Sequence, residues 1–157
     1  MASDIEIIHC DFDNQAHCEA LVDLMEEYIA DKMGGGPPYS KESKELLISG
    51  LREHPSKIVL LAVSGGNYIG LLNGYINFST FAVRPFINVH DIIVTGSWRN
   101  KHVGKKLLEK VIVEAKKINC SKITLEVRVD NFNARHLYSK MGFKDMEPPQ
   151  LFWAKHL

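Results

Sequence analysis

Residues 89–108 restrict the fold of this chain most, because they combine a strand, a tight turn and the start of a helix. The β-branched run Ile92, Ile93 and Val94 predicts the strand, and residues 95–97 interrupt it. Apolar residues then recur at helical spacing with lysines mostly on the other face, which predicts an amphipathic helix. Its apolar face consists of Val103, Leu107, Leu108, Val111, Ile112, Ala115 and Ile118.

The start of this helix carries four basic residues, Arg99, Lys101, Lys105 and Lys106. Cations oppose the positive end of the helix dipole, whereas a phosphate there would accept hydrogen bonds from the first backbone N–H groups. The pattern therefore indicates an anion site. A solvated basic helix face is an equally open interpretation.

Composition narrows the class of protein. The 157 residues contain 19 lysines and arginines against 19 aspartates and glutamates, a balance that disfavours a general nucleic-acid binder. No apolar run reaches the roughly 18 residues of a membrane span, and the first residues lack a signal pattern, so we expect a cytoplasmic protein without membrane partners. The cysteines and histidines lack ligand spacing, so no disulfide framework or metal site is expected.

The first half of the chain predicts a strand, two helices and a hairpin. A strand at residues 5–10 precedes a helix capped by Asp13 or Asn14, and Ser40 begins a second helix that stops before Pro55. The apolar faces of the two helices hold Leu21, Leu24, Met25, Tyr28, Ile29, Leu46, Leu47 and Leu51. Strands at 57–63 and 68–78 flank a short turn, so they are expected to pair antiparallel.

The second half predicts three more strands and two helices. A strand at 86–94 leads through the central helix to an alternating strand at 121–129, which should run parallel to it. Asp130 or Asn131 caps a short helix that ends at Lys140, and residues 151–156 form a last strand. This order predicts one α/β (α+β) domain over residues 1–157, with a mixed, mostly antiparallel sheet and helices on both faces.

Two segments resemble a known family. Residues 99–104, Arg-Asn-Lys-His-Val-Gly, resemble the pattern Q or R-x-x-G-x-G or A, with His102 in place of the first glycine. Residues 131–143 match N-x-x-A-x-x-L-Y-x-x-x-G-F at every fixed position. The chain is therefore similar to the GNAT superfamily of N-acetyltransferases, mainly over residues 57–144.

The resemblance implies a GNAT-like acyl-CoA N-acyltransferase fold and acetyl-CoA as the acyl donor. It assigns to acetyl-CoA binding Ile93, Val94, Arg99, Asn100, Lys101, His102, Val103, Gly104, Lys105, Asn131, Asn133 and Tyr138. A Cβ at the first glycine position is compatible with this role if His102 has helical dihedral angles and its ring points away. Capping of the last helix is the alternative role of Asn131 and Asn133.

The resemblance also implies a direct transfer to an amine. Tyr138 would protonate the leaving thiolate, or else be an aromatic packing residue. Asp91 is the best candidate for the base that deprotonates the amine, with a solvated strand-end carboxylate as the alternative, and Glu126 is a second candidate. His90 should point away from Asp91 on a strand. Backbone N–H groups at a bulge near Ile93 or Val94 would bind the oxyanion.

The acceptor is expected to be a small-molecule primary amine rather than a protein. Its pocket should be walled by the first two helices and the loop before the motif strand, where Glu26, Glu27 and residues 34–39 and 78–86 lie. A homodimer, common in the family, would use an edge formed by residues 151–153 and His156. The alternative function is a non-catalytic acyl-CoA-binding module that regulates a partner protein.

Overall fold

The computed structural model describes residues 4–157. These residues form five strands and four helices. In order they are β1 Glu6–His9, α1 Gln15–Ala30, α2 Lys41–Glu53, β2 Lys57–Ser64, β3 Asn67–Ser79, β4 Arg84–Val94, α3 Val103–Lys117, β5 Ile123–Leu125 and α4 Phe132–Lys140, with a 3-10 turn, Gly96–Trp98, between β4 and α3. Within the described residues, no helix is long and apolar enough to cross a bilayer.

The strands form a single sheet in the order β1-β2-β3-β4-β5. The first four pair antiparallel, and β4 pairs with β5 in parallel through the α3 crossover. The predicted mixed, mostly antiparallel sheet is therefore confirmed. The short turn at residues 65–66 explains the antiparallel hairpin, since so short a connection cannot reach a parallel neighbour.

Each face of the sheet carries its own apolar core. One core packs α3 and Tyr138 of α4 against the sheet, and its members include Leu60, Leu72 and Leu107. The other packs α1 and α2 against the opposite face, through Leu21, Leu24, Leu51, Leu61, Leu71 and Ile93. Helices therefore cover both faces, as the sequence pattern predicts.

Side-chain caps fix where three of the helices begin. Asn14 accepts a hydrogen bond from the backbone N–H of Ala16, which settles the choice between Asp13 and Asn14. Ser40 and Asn131 cap α2 and α4 in the same way. The prediction for the apolar face of α2 is wrong at Leu46, whose 62% exposure places it on the solvent side.

Two predicted strands differ from the structure. The strand expected at 121–129 is reduced to Ile123–Leu125, and Val127 and Val129 are exposed. The last strand, expected at 151–156, is absent: residues 143–157 contain no helix or strand, and Phe152 is 78% exposed. Alternation reports only a local preference, and a strand also needs a partner edge. The edge predicted for a homodimer is therefore not a strand here.

Candidate active site

A β-bulge in β4 positions the candidate site. Asp91 lies opposite Asn73, but the next paired residue, Gly74, lies opposite Val89, so that His90 is an extra residue in β4. Val89 packs in the α3 core, whereas Ile93, four positions later, packs in the α1 and α2 core. One inserted residue reverses the alternation of side chains. The predicted bulge thus exists, but at His90 rather than at Ile93 or Val94.

The bulge also explains why the pairing with β5 stops. Parallel pairing joins Ile87 to Ile123 and ends where Val89 lies opposite Leu125, while β4 continues to Val94. Residues 91–94 therefore pair with β3 on one edge and, among residues 4–157, have no strand on the other. A bulge interrupts the ladder and bends the strand. The resulting gap leaves backbone polar groups of β4 open to a ligand and joins the two faces of the sheet.

A cavity of about 220 Å³ lies on the α1 and α2 face beside this gap. Its lining includes Asp91 and His90 together, so the prediction that these two side chains point to opposite faces is wrong. The extra residue at the bulge accounts for this, because alternation fails there. Among the described residues that line the cavity, Asp91 is the only carboxylate, and none is a lysine or an arginine.

A buried amide orients Asp91. The Nδ2 of Asn73 donates to Oδ2 of Asp91 over 3.0 Å, and it lies 3.4 Å from the Tyr75 hydroxyl. A carboxylate can only accept hydrogen bonds, so this contact fixes the orientation of the amide. Asn73 is 5% exposed, and its Oδ1 has no hydrogen-bond partner in residues 4–157. An unsatisfied buried acceptor is costly, by about 1–3 kcal/mol, which suits a residue held for binding rather than stability.

The pKa values of three tyrosines, Tyr28, Tyr39 and Tyr138, are raised. Burial, and then the charge of Asp91, raise the pKa of both Tyr28 and Tyr39. Burial, and then the charge of Tyr28, raise the pKa of Tyr138 to about 12. Tyr28 is therefore close enough to interact with both Asp91 and Tyr138. Asp91 and Tyr138 lie on opposite faces of the sheet, and the gap beside β4 connects those faces.

Tyr138 itself is 7% exposed and packs against Phe143 with ring centroids 6.0 Å apart. The aromatic packing considered from the sequence is thus present. Packing does not exclude a chemical role, since it would hold the hydroxyl in one place.

The turn before α3 departs from the expected geometry. His102 has φ 65° and ψ 9°, in the left-handed region, so the condition of helical dihedral angles is not met. Asn100 is also left-handed, with φ 61°. A glycine would take the His102 conformation without steric cost, which explains the glycine of the family pattern. The side chain of His102 does not cap α3, so the first backbone N–H groups of α3 are open to an anion.

The basic residues of this turn all make contacts within the protein. Arg99 donates to Asp31 over 2.8 Å and to the carbonyl oxygen of Val94 over 3.1 Å, which ties the turn to the end of α1. Lys106 donates to the carbonyl oxygen of Ile5. Lys101 lies over the Trp98 ring, and Lys105 lies 3.5 Å from Glu109. Both are exposed contacts of little energy, so these two lysines remain available to an anion.

Close packing explains why residue 104 is a glycine. A Cβ at this position would lie 3.1 Å from Cδ2 of Leu137 and 3.8 Å from Cγ2 of Val94. The glycine therefore lets α3 approach α4 and β4 closely. The same closeness narrows the space between the helix start and the open end of β4.

Several other predicted site residues lie elsewhere. Asn131 caps α4 by accepting from the N–H of Ala134 over 3.2 Å, so the capping alternative describes it, and Asn133 is exposed. Glu126 is exposed and does not line the cavity. Asp91 is therefore the better placed of the two carboxylate candidates.

The predicted wall of the acceptor pocket is only partly right. Tyr39 lines the cavity, but Glu26 pairs with Lys44 over 3.0 Å and Glu27 accepts from the N–H of Gly96 over 2.8 Å. Residues 78–86 do not line the cavity, because they form the far end of the β3–β4 hairpin, where Phe81 is fully exposed. The first two helices, α1 and α2, wall the cavity as predicted, but the middle of β3 and β4 takes the place of the predicted loop.

Sequence reasoning missed Asn73 and the placement of Tyr28. A signal for Asn73 was available, since it is a single amide between the apolar residues at 69–72 and those at 75–76. Nothing marks Tyr28, whose helical spacing is that of an ordinary core residue.

Comparison with known proteins identifies the family. The acetyltransferase (GNAT) family model matches residues 20–143. An uncharacterized N-acetyltransferase of Bacillus subtilis (strain 168), YhfO, is 25% identical over 104 residues, which cover 66% of this chain and 70% of that protein.

Solved structures share the fold. The aminoglycoside N-acetyltransferase AAC(6')-Iy in complex with CoA matches with a TM-score of 0.78 at 18% identity, over 99% of this chain and 97% of that one. An aminoglycoside acetyltransferase from an uncultured soil metagenomic sample, in complex with sisomicin, gives 0.78 at 16% identity, over 98% and 97%. With most of its length matched by the family model, the chain belongs to the GNAT family of acetyltransferases and is an N-acetyltransferase.

Proposed function

We propose that this protein uses acetyl-CoA to acetylate the primary amine of a small molecule, by direct transfer in a ternary complex. One observation carries the proposal: Asp91 lines a cavity on the α1 and α2 face of the sheet, and the tyrosine of the family pattern, Tyr138, is buried in the core on the other face. The CoA and sisomicin complexes of structural neighbours support the same pair of substrates.

The residues present fit an acyl-CoA. Residues 99–105 offer uncapped backbone N–H groups with Lys101 and Lys105 beside them, which suit a pyrophosphate. On the open edge of β4, Arg99 engages the carbonyl oxygen of Val94, which leaves the Val94 N–H to an extended amide-containing chain or to an oxyanion. When bound, acetyl-CoA supplies an acetyl group activated as a thioester. Arg99 would act by holding the turn in place, because Asp31 already engages its guanidinium.

Asp91 would act on the amine. An alkylamine is protonated near neutral pH, and only its neutral form can attack a carbonyl carbon. The Nδ2 of Asn73 occupies Oδ2 of Asp91, which leaves Oδ1 to attract the ammonium and take its proton, directly or through water. Asn73 is thereby a positioning residue for the base.

Tyr138 would act on the leaving sulfur. With a pKa of about 12 its phenol stays protonated at physiological pH. Complete transfer of that proton to a thiolate with a pKa of about 8.5 is unfavourable by about 3.5 units, or about 5 kcal/mol. Tyr138 is therefore proposed as a hydrogen-bond donor that keeps its own proton and stabilises the developing thiolate, and the CoA thiolate then takes a proton from solvent.

The test is thiol release from acetyl-CoA, with the acetylated amine identified by mass spectrometry, across a panel of small amines. Asp91→Asn should lower kcat/KM by about 10²- to 10⁴-fold, because the base is lost while the hydrogen bond to Asn73 can be kept. Glu126→Gln is the matched control and should leave the rate unchanged. Equal rates for Asp91→Asn and the wild type would remove Asp91 from the reaction.

A non-catalytic acyl-CoA-binding module is the second candidate. The left-handed His102 favours it, since a side chain stands at a position where the family pattern has glycine. This candidate predicts that CoA binds with no amine acetylated, even at high protein concentration.

A further inference from the structure

The cavity beside Asp91 has two chemically different ends. Asn73, Tyr75, His90 and Asp91 form a polar end against the sheet. Leu21, Met25, Leu47, Leu51 and Leu71 supply an apolar end between α1, α2 and the sheet. Tyr39 completes the lining. A ligand that fills the cavity must therefore be polar at one end and apolar at the other.

The polar end suits one positive charge. Asp91 accepts from a neutral amide and forms no ion pair within the described residues, so its negative charge is not compensated. The aromatic rings of Tyr39 and Tyr75 lie in the same lining, and ring faces attract cations. The neighbouring carboxylates of α1 are engaged, Glu26 by Lys44 and Glu27 by the N–H of Gly96.

The apolar end offers nothing to a second charge. Its lining there consists of aliphatic and thioether side chains, and an unpaired ammonium among them would lose its hydration without gaining an acceptor. The volume of about 220 Å³ corresponds to about seven water molecules at ~30 Å³ each. A polycation with several rings, such as an aminoglycoside, could insert only one end.

We infer that the cavity selects a primary monoamine with a short apolar arm, and that Leu47 determines this choice. The inference rests on the proposed function and names its acceptor class. The ammonium lies at Asp91, and the arm packs against Met25, Leu47 and Leu51. Leu47 excludes amines with a second charge because it places a hydrocarbon where that charge would have to lie.

Pentylamine and 1,5-diaminopentane test the inference on the wild-type protein, because they differ only in the second ammonium. Binding is measured by calorimetry with CoA present, which requires no turnover, and kcat/KM is then measured with acetyl-CoA. We expect pentylamine to bind at least about tenfold more tightly. Equal or tighter binding of the diamine, or binding of neither, would overturn the inference.

Leu47→Glu places a second carboxylate at the apolar end and should reverse the preference, by about tenfold or more in favour of the diamine. Leu46→Glu is the matched control, because it adds the same charge one residue away on the exposed side of α2 and should leave the preference of the wild type. The same shift in both variants would mean a general surface-charge effect and would contradict the role of Leu47. If Leu47→Glu does not fold, the wild-type comparison still decides the acceptor class.

Turnover separates this inference from the proposed function. A preference for pentylamine in binding, without any acetylated product, would leave the inference standing and refute the enzyme activity. Acetylated product from both amines at equal kcat/KM would support the enzyme activity and refute the inference about the acceptor.

Discussion

The two halves of β4 differ although they belong to one strand. Residues 87–89 pair with β3 on one edge and β5 on the other, and Ile87 and Val89 are buried in the α3 core. Residues 91–94 pair with β3 only, and Asp91 faces a cavity on the opposite side of the sheet. The single extra residue His90 separates them. A fully paired half gives stability, and a half with an open edge gives a place for chemistry.

Deleting His90 is expected to have the largest effect, because it removes the difference between the two halves. Without His90, Val89 is followed directly by Asp91, so regular pairing with β3 keeps Asp91 and Ile93 on the α1 and α2 face but removes the bend that ends the pairing with β5. We expect loss of acetyl transfer, while the free energy of unfolding, measured with urea, changes little because no core residue changes face. Deleting Thr80 from the exposed β3–β4 turn is the control and should leave the transfer intact. Wild-type turnover after the deletion of His90 would show that the bulge does not shape the site.

Tyr138→Phe tests whether the hydroxyl of Tyr138 takes part in the reaction. The phenyl ring keeps the packing against Phe143 but cannot donate a hydrogen bond to the sulfur. We expect turnover to fall about 10²- to 10⁴-fold while the Kd of CoA stays nearly unchanged. Unchanged turnover would mean that Tyr138 has only a packing role.

The pH dependence of stability gives a related prediction. Burial raises the pKa of Tyr138 to about 12 in the folded protein, against about 10 when unfolded. The unfolded chain therefore ionises first, so this contribution is complete below pH 10 and is lost between pH 10 and 12. The wild type should lose up to about 3 kcal/mol more than Tyr138→Phe across that window. Parallel stability curves for the two proteins would contradict the burial of the phenol.

His102→Gly should have the smallest effect, since it changes only the turn that follows the open half. A left-handed residue other than glycine costs about 1–2 kcal/mol, and glycine loses about 0.5–1 kcal/mol of chain entropy. We expect the free energy of unfolding, measured by thermal unfolding, to rise by up to about 1 kcal/mol, and the affinity for CoA to equal or exceed that of the wild type. Asn100→Gly is the matched control and should gain less, because asparagine tolerates this conformation. A clear loss of stability in His102→Gly would contradict the assigned backbone geometry.

The sequence predicts the helices and the hairpin well for local reasons. Helical spacing and caps such as Asn14 and Ser40 act within one turn of chain, and the turn after Ser64 fixes an antiparallel pair. The bulge could be expected from the family but not located, because one inserted residue has no composition of its own. The tail at 151–156 has the apolar and aromatic residues of a strand but pairs with no strand among residues 4–157, which no local pattern reveals.

The candidate site also combines features that local sequence predicts with features that depend on distant residues. Asp91 and Tyr138 could be named from motifs, and the structure brings them to the two sides of one gap, although their chemical roles stay predictions. The cooperation of His90 with Asp91 could not be predicted, since it depends on the bulge. The hydrogen bond from Asn73 joins residues 18 positions apart, and only the strand register brings them together.

Amide hydrogen exchange with and without CoA tests the central claim most directly, because it measures the two halves of β4 in one experiment. If the open edge receives the acyl donor, CoA should protect amides in residues 90–94 and at the start of α3. Residues 87–89, already paired on both edges, should show no change. Protection of neither half by saturating CoA, or equal protection of both, would contradict the account.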